Sequence, residues 1–233
     1  IQLQPMTMAL APVGDGATGQ FTVTNGSATE TVAIEMSMAH RVVDIDGRES
    51  NPPADKEFLV YPPQLLLEPG ETRNIRVTWL GDPAPQKELP FRFVCEQLPI
   101  DLEIKKASIG GSVRLLVRYL NSVYIEPSGV GHDVILDKVS EVKSGEEGTE
   151  SMMEIILHNR GTAHTILSGI SLSLTPMDPG SGTANDAGTI VLHDDKLKGM
   201  AFQNILGGHK RKFKLPWPAA LPVGPVRARL LLR

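Results

Sequence analysis

The sequence predicts an all-β protein made of two sandwich domains. The chain has 233 residues, and its 22 glycines and 18 prolines are scattered between short apolar or β-branched runs. Few segments have the length and the 3.6-residue period of a helix, and this pattern is typical of a sandwich or barrel. The break Glu126-Pro127-Ser128-Gly129 divides the chain near its middle. We therefore expect two domains, residues 1–126 and 127–233.

Strand patterns in the first half alternate and end at turn residues. Residues 20–25 alternate up to an Asn25-Gly26 turn, and Leu65-Leu66-Leu67 ends at the turn Glu68-Pro69-Gly70-Glu71. The predicted strands are 20–25, 30–38, 58–61, 65–67, 74–79, 90–98 and 113–125. This number of strands in about 125 residues predicts an immunoglobulin-like sandwich.

The second half continues in the same style without a clear sequence repeat. Residues 180–185 read as a glycine- and serine-containing loop. The predicted strands are 134–139, 152–158, 165–174, 189–193, 210–215 and 226–232. A second β-sandwich is the expected fold of this half.

Composition and charge exclude several classes of protein. Hydrophobic residues make up 41% and charged residues 21% of the chain, which is enough apolar material for ordered cores. A net charge of -4 argues against a nucleic-acid partner. No run approaches the roughly 20 apolar residues of a membrane helix, so we expect no membrane insertion. The start at Ile1 reads as processed, which permits secretion, and the single Cys95 excludes an internal disulfide.

No pattern of catalytic or metal-binding residues stands out. Gly14, Gly16 and Gly19 spell G-x-G-x-x-G, but a strand pattern follows where a dinucleotide site needs a helix. The sequence has no G-x-S-x-G elbow and no metal-ligand spacing of cysteines and histidines. We expect no enzyme, no catalytic residue, no cofactor and no metal. The basic segment 209–214 is interpreted as an edge strand guarded by lysines.

The longest predicted strand, 113–125, carries the strongest functional pattern. Arg114 and Arg118 lie on one of its faces. The opposite face is apolar and contains Val113, Leu115, Val117, Tyr119, Val123 and Ile125. Two interpretations are open, a central strand of the sandwich or an edge strand that lends its apolar row to another protein.

Three segments resemble the periplasmic pilus chaperones of the chaperone–usher pathway. The first runs from Leu65 through the turn at Pro69-Gly70 to Val77, and the second contains Glu88 and residues 91–99. The third, 113–127, ends in Val123-Tyr124-Ile125-Glu126-Pro127 and resembles the last strand and hinge of the family's first domain. The resemblance is specific over about residues 60–127, and beyond 128 it rests on length and β-pattern alone.

The resemblance implies a fold and a mode of action. It implies two immunoglobulin-like domains in a boomerang arrangement, and a strand that completes a pilin subunit by donor-strand complementation. Val113, Leu115 and Val117 would then be the residues that bind the subunit. It further implies a periplasmic location and delivery of subunits to an outer-membrane usher. Self-association of the unbound form, which would cover the apolar strand 113–125, is also implied.

The family's usual carboxylate anchor is altered in this sequence. In the family, an arginine and a lysine bind the C-terminal carboxylate of the pilin, and their positions correspond to Met8 and Ser122 here. This departure implies a divergent branch, similar to the archaic or alternative systems. Arg92 and Arg118 are the alternative anchor candidates, because a guanidinium offers two donors to a carboxylate.

A second function class stays open. An immunoglobulin-like or major-sperm-protein-like module with a structural or adhesive role shares the sandwich pattern and the Pro-Gly turns. The two-domain length and the long apolar strand flanked by arginines favour the chaperone.

Overall fold

The computed structural model describes residues 1–99, 116–144, 150–193 and 195–232. The predicted all-β class is confirmed: within these residues the chain forms strands and two 3-10 turns, Asp15–Ala17 and Asp186–Gly188, and no α-helix. Accordingly, none of them forms a helix with the length and hydropathy that a membrane crossing requires. Contacts group the chain into two units, Ile1–Val42 with Ser50–Ser128 and Val43–Glu49 with Gly129–Arg233.

The first half of the chain contains eleven named strands in its described part. They are β1 (Gln2–Gln4), β2 (Thr7–Leu10), β3 (Thr18–Thr24), β4 (Val32–His40), β5 (Val42–Val43), β6 (Glu49–Ser50), β7 (Phe58–Tyr61), β8 (Gln64–Leu67), β9 (Thr72–Trp79), β10 (Leu89–Gln97) and β11 (Arg118–Ile125). One sheet has the order β1-β3-β9-β7, the other has the order β2-β11-β10-β4-β8, and β5 pairs with β6 in a hairpin.

The two sheets of the first unit enclose an aromatic core. Phe21 on β3 and Phe93 on β10 stack across the sandwich with their ring centroids 4.1 Å apart. Phe58 and Phe91 make a second contact between the sheets, edge to face at 4.8 Å. Such pairs add stabilisation beyond area burial and tie the two faces together at defined points.

The N-terminal segment joins both sheets of this unit. β1 pairs with β3 in the first sheet, and β2 pairs in parallel with β11 in the second. Pro5 lies between them, where the missing amide hydrogen of proline ends the first ladder. The chain therefore changes sheets within two residues.

The second unit is a smaller sandwich. Its strands are β12 (Val134–Ser144), β13 (Glu150–Asn159), β14 (Thr165–Ile166), β15 (Ser171–Pro176), β16 (Ile190–Leu192), β17 (Asn204–Ile205), β18 (Lys210–Pro216) and β19 (Val226–Leu231). The sheets have the orders β12-β13-β18 and β16-β15-β19, and β14 pairs with β17. Met153, Ile155 and Leu157 on β13 face the core and are fully buried.

One predicted strand was wrong in its extent. The continuous strand expected at 165–174 is divided into β14 and β15. Gly169 has a φ of 58°, a left-handed conformation that interrupts the extended chain. Leu167 and Ile170 on either side are buried, so the apolar run that suggested one strand instead fills the core from a bend.

A buried asparagine stabilises the end of a strand in each unit. The Asn25 side chain donates to the carbonyls of Leu67 and Glu68, both at 3.0 Å, and to Glu30 at 2.8 Å. In the second unit, Asn159 donates to the carbonyls of Ala163 at 2.8 Å and Ile205 at 3.1 Å. In both units one amide satisfies backbone groups that the loops bring into the interior.

We expect Asn25→Ala to lower the free energy of unfolding of the first unit by about 1–3 kcal/mol, because it leaves buried carbonyls without donors. Asn74→Ala is the matched control, since Asn74 is exposed and accepts one bond from Thr22 at 3.0 Å. The control should change the unfolding free energy by less than about 0.5 kcal/mol in urea titrations. Equal losses in the two variants would contradict the structural role of Asn25.

Cys95 on β10 is buried, and this burial raises the pKa of its thiol to about 11. At pH 8 the folded protein therefore holds very little thiolate, which is the reactive form. We expect iodoacetamide to label folded Cys95 at least about a hundred-fold more slowly than Cys95 in the guanidinium-unfolded chain. The extent of labelling over time is measured by mass spectrometry. Rapid labelling of Cys95 in the folded protein would contradict its burial.

Candidate functional site

The candidate site is built on β11, which is a strand with two different neighbours. It pairs antiparallel with β10 along its whole length, from Arg118 opposite Glu96 to Ile125 opposite Leu89. The parallel ladder with β2 begins only at Ser122. Among the described residues, the part of β11 before Ser122 therefore has β10 as its only ladder partner.

The inward face of β11 belongs to the core of the first unit. Val123 and Ile125 are fully buried there, and Asn121 is buried beside them. Asn121 donates to the carbonyl of Pro5, and the Tyr119 hydroxyl donates to the carbonyl of Ile1, both at 2.6 Å. These two bonds hold the N-terminal segment against β11, so the strand has one orientation in the sheet.

Among the three predicted subunit-binding residues, Val117 belongs to the described part of the chain. Val113 and Leu115 lie outside the described residues. Val117 is half-buried, and its carbonyl accepts a hydrogen bond from the amide of Gln97 at 3.0 Å. Since Val117 has the same parity as Tyr119 and Val123, it continues the row whose other end fills the core.

On the outward face, Arg92 reaches across from β10 to β11. Arg92 and Ser122 are cross-strand partners, and the Arg92 Nη1 donates to the Ser122 Oγ at 2.7 Å. The same nitrogen donates to the carbonyl of Leu120 at 3.4 Å. A half-buried guanidinium thus lies beside the point where the β2 ladder begins.

Arg118 has a different environment. Its Nε is 3.5 Å from the Oε2 of Glu96, and both side chains are 54% exposed. A solvated pair of this kind contributes little to stability, and its carboxylate already balances the arginine charge. The structure therefore places the two anchor candidates on the same two strands but in unlike surroundings.

Two further residues complete the description of this face. The Arg41 Nη1 donates to the Tyr124 hydroxyl at 2.7 Å, and Tyr124 is only 2% exposed. The sequence offers no local signal for Arg41, because its contact with Tyr124 joins residues 83 positions apart. Met8 packs toward the core against Gly19, so it does not join the arginines on the outward face.

Within the described residues, no group of three or more His, Cys, Asp or Glu side chains could hold a metal ion. The described part of the site offers the backbone of β11 before Ser122, the half-buried Val117 and the guanidinium of Arg92. Such a surface can pair with another strand and bind a carboxylate.

Comparisons with solved structures identify the fold. The class 5 fimbriae chaperone CfaA matches with a TM-score of 0.54 and 16% identity, covering 90% of this chain and 83% of that chain. The CsuC-CsuE chaperone-tip adhesion subunit pre-assembly complex of Acinetobacter baumannii matches with a TM-score of 0.55 and 15% identity, covering 94% and 93%. The E. coli chaperone DraB matches with a TM-score of 0.54 and 16% identity, covering 97% and 86%.

Sequence comparison identifies the family. No curated protein matches the chain. The family described as "Pili and flagellar-assembly chaperone, PapD N-terminal domain" matches residues 8–131, which are more than half of the chain. This range contains both β10 and β11 and therefore the whole candidate site. The chain accordingly belongs to the family of pili and flagellar-assembly chaperones, as its resemblance to pilus chaperones predicted.

Proposed function

We propose that the protein is a periplasmic chaperone that captures pilus subunits by donor-strand complementation and delivers them to an outer-membrane usher. Membership of the chaperone family supports the general role. The observation that carries the proposal is the position of β11, whose inward row is core from Tyr119 to Ile125 and whose described ladder with β2 begins at Ser122. Val113, Leu115 and Val117, which precede β11 in the sequence and have the same parity, are the proposed donors.

The physical basis of capture is burial of apolar side chains in a groove of the subunit. A subunit that lacks one strand of its sandwich exposes the core positions that this strand would fill. Alternate side chains of an added strand enter such positions, while its backbone groups continue the ladder. The same alternation that buries Val123 in the chaperone then directs Leu115 into the partner.

We further propose that Arg92 anchors the C-terminal carboxylate of the subunit. The half-buried position of Arg92 beside Ser122 favours it over Arg118, because a partly desolvated guanidinium binds a carboxylate more strongly than an exposed one. Arg118 and Glu96 are both 54% exposed, so water and salt screen the charge of Arg118. An anchor at Arg92 would fix the register of the incoming strand next to the start of the β2 ladder.

The donor row is tested with the double substitution Leu115→Ser and Val117→Ser. Each apolar side chain buried in the subunit contributes about 1.5–3 kcal/mol, so we expect at least a roughly ten-fold weaker capture of a coexpressed pilus subunit in pull-down titrations. The melting temperature of the chaperone alone should stay close to that of the wild type.

Val123→Ser is the matched control for the donor row, because Val123 shares its parity but is fully buried in the chaperone core. This variant should lower the melting temperature clearly. If the double variant is destabilised as much as the control, the row belongs to the chaperone's own core and the central-strand interpretation holds. Failure of the folded wild type to capture a subunit would favour the structural or adhesive module instead.

The anchor is tested by titrating a peptide with the last residues of the subunit against wild type, Arg92→Ala and Arg118→Ala. A charged pair that loses one partner costs about 2–5 kcal/mol, so we expect Arg92→Ala to lose at least about thirty-fold in affinity. Arg118→Ala should change the affinity by less than about three-fold. The peptide with an amidated C-terminus should bind wild type as weakly as the free-acid peptide binds Arg92→Ala.

Two outcomes would contradict this anchor. Equal binding of the free-acid peptide by all three proteins would show that the carboxylate is held elsewhere, with Lys105 and Lys106 as the next candidates. A loss confined to Arg118→Ala would assign the anchor to the exposed arginine. Arg92→Lys separates charge from geometry, because lysine keeps the charge but lacks the planar fork.

A further inference from the structure

The hairpin formed by β5 and β6 has a rigidly shaped tip. The amide of Gly47 donates to the carbonyl of Asp44 at 3.0 Å, and the amide of Arg48 donates to the Asp44 Oδ1 at 2.9 Å. Gly47 has a φ of 87°, which glycine adopts without strain. By its contacts the segment Val43–Glu49 belongs to the second unit.

Within that unit the hairpin tip covers the outer edge of β18. β18 is the last strand of the sheet β12-β13-β18, so its other edge has no ladder partner among the described strands. The amide of Lys212 on β18 donates to the carbonyl of Ile45 at 2.7 Å, and the Lys212 Nζ lies 2.7 Å from the Asp46 Oδ1. The tip therefore satisfies an amide that the sheet itself leaves pointing outward.

Gly47 packs closely against the guanidinium of the buried Arg211. The backbone of Gly47 lies directly against the guanidinium of Arg211, and a Cβ at this position would collide with it. Arg211 also donates to the side chain of Gln203 at 3.3 Å and lies over the ring of Phe213. The guanidinium is thus fixed from several sides, and only glycine allows the tip to approach it so closely.

The contacts between tip and strand differ in kind from the ladder inside the sheet. The ion pair between Lys212 and Asp46 is partly solvated, with the side chains 24% and 40% exposed, and pairs of this kind are weak. Its presence lowers the pKa of Asp46 and raises the pKa of Lys212, each through the hydrogen bond to the other. The bond from the Lys212 amide to Ile45 lies beside this exposed pair and outside the continuous ladder of β13 and β18, which extends from Met152 to His158. Local opening at the margin of a sheet costs less free energy than opening of the sheet itself.

We propose that Val43–Glu49 is a releasable strap over the outer edge of β18. The Asp46–Lys212 pair and the packing of Gly47 against Arg211 hold the strap in place. The strap opens while the sheet stays folded. Opening exposes the amide of Lys212, and with it the part of the basic strand that the sequence analysis interpreted as a guarded edge. The lysine side chains on this edge then disfavour pairing with a foreign strand.

The test is residue-resolved hydrogen exchange on the full chain. Lys212 directs its amide at the strap, so by alternation Phe213 directs its amide at β13. We expect the Lys212 amide to exchange faster than the Phe213 amide in the wild type. Asp46→Asn should accelerate exchange of the Lys212 amide by about two- to five-fold, which corresponds to the loss of a weak ion pair. Exchange of the Phe213 amide should stay unchanged.

Asp137→Asn is the matched control, because it removes a pair of similar exposure on the same strand, in which the Lys210 Nζ lies 2.8 Å from the Asp137 Oδ2. This control should not accelerate the Lys212 amide. Gly47→Ala should accelerate Lys212 by about ten-fold or more, since a side chain is strained at this φ and collides with Arg211.

Two results would overturn the proposal. Equal exchange of the Lys212 and Phe213 amides in wild type and in Asp46→Asn would show that the tip opens only with the sheet. Equal acceleration by Asp46→Asn and Asp137→Asn would show a general loss of stability and no strap. If Gly47→Ala does not fold, the exchange rates of the Lys212 amide in Asp46→Asn and in Asp137→Asn, measured in low salt and in about 1 M salt, still test the proposal. Salt screens the exposed ion pair and should therefore reduce the difference between wild type and Asp46→Asn.

Discussion

Burial of Val123 and Ile125 on the inward face of β11 fixes the register of this strand, and the arrangement of the candidate site depends on it. Because side chains alternate along a strand, a shift of one residue would turn the whole row to the other face. Tyr119 and Asn121 reinforce the same register through their bonds to the N-terminal segment. With the inward face fixed, Ser122 must lie on the outward face, opposite Arg92.

This geometry explains how the site has a cation although its own strand offers none at the central position. Ser122 carries a neutral hydroxyl, and Met8 on the parallel neighbour packs toward the core. The positive group comes from β10, one strand away, because Arg92 is long enough to reach the Ser122 hydroxyl at 2.7 Å. Arginine suits this reach, since its long aliphatic stem can lie on the sheet and its planar guanidinium offers several donors at the far end.

The two units satisfy buried backbone carbonyls in a similar way, although their sequences show no clear repeat. Asn25 in the first unit and Asn159 in the second each insert an amide among backbone carbonyls at the end of a strand. Sandwich domains have loops that bring peptide groups into a low-dielectric interior, and each such group needs a partner. A short side chain with a donor and an acceptor satisfies this requirement in both units, which is a physical reason for the shared residue type.

The sequence alone determined the all-β class, most strand positions, the turn at Pro69-Gly70 and the parity of residues 117–125, because these features depend on near neighbours. The turn expected at Asn25-Gly26 is instead a longer connection, residues 25–31, which carries the chain from β3 in one sheet to β4 in the other. It also identified Arg92 and Arg118 as candidates from the resemblance, but it could not rank them. Only the tertiary structure decided which arginine is half-buried, that Arg41 reaches Tyr124, that the apolar run at 165–174 bends at Gly169, and that Val43–Glu49 packs with the second unit. These features depend on contacts between residues far apart in the chain, such as Tyr119 with Ile1, and no local period in the sequence encodes them.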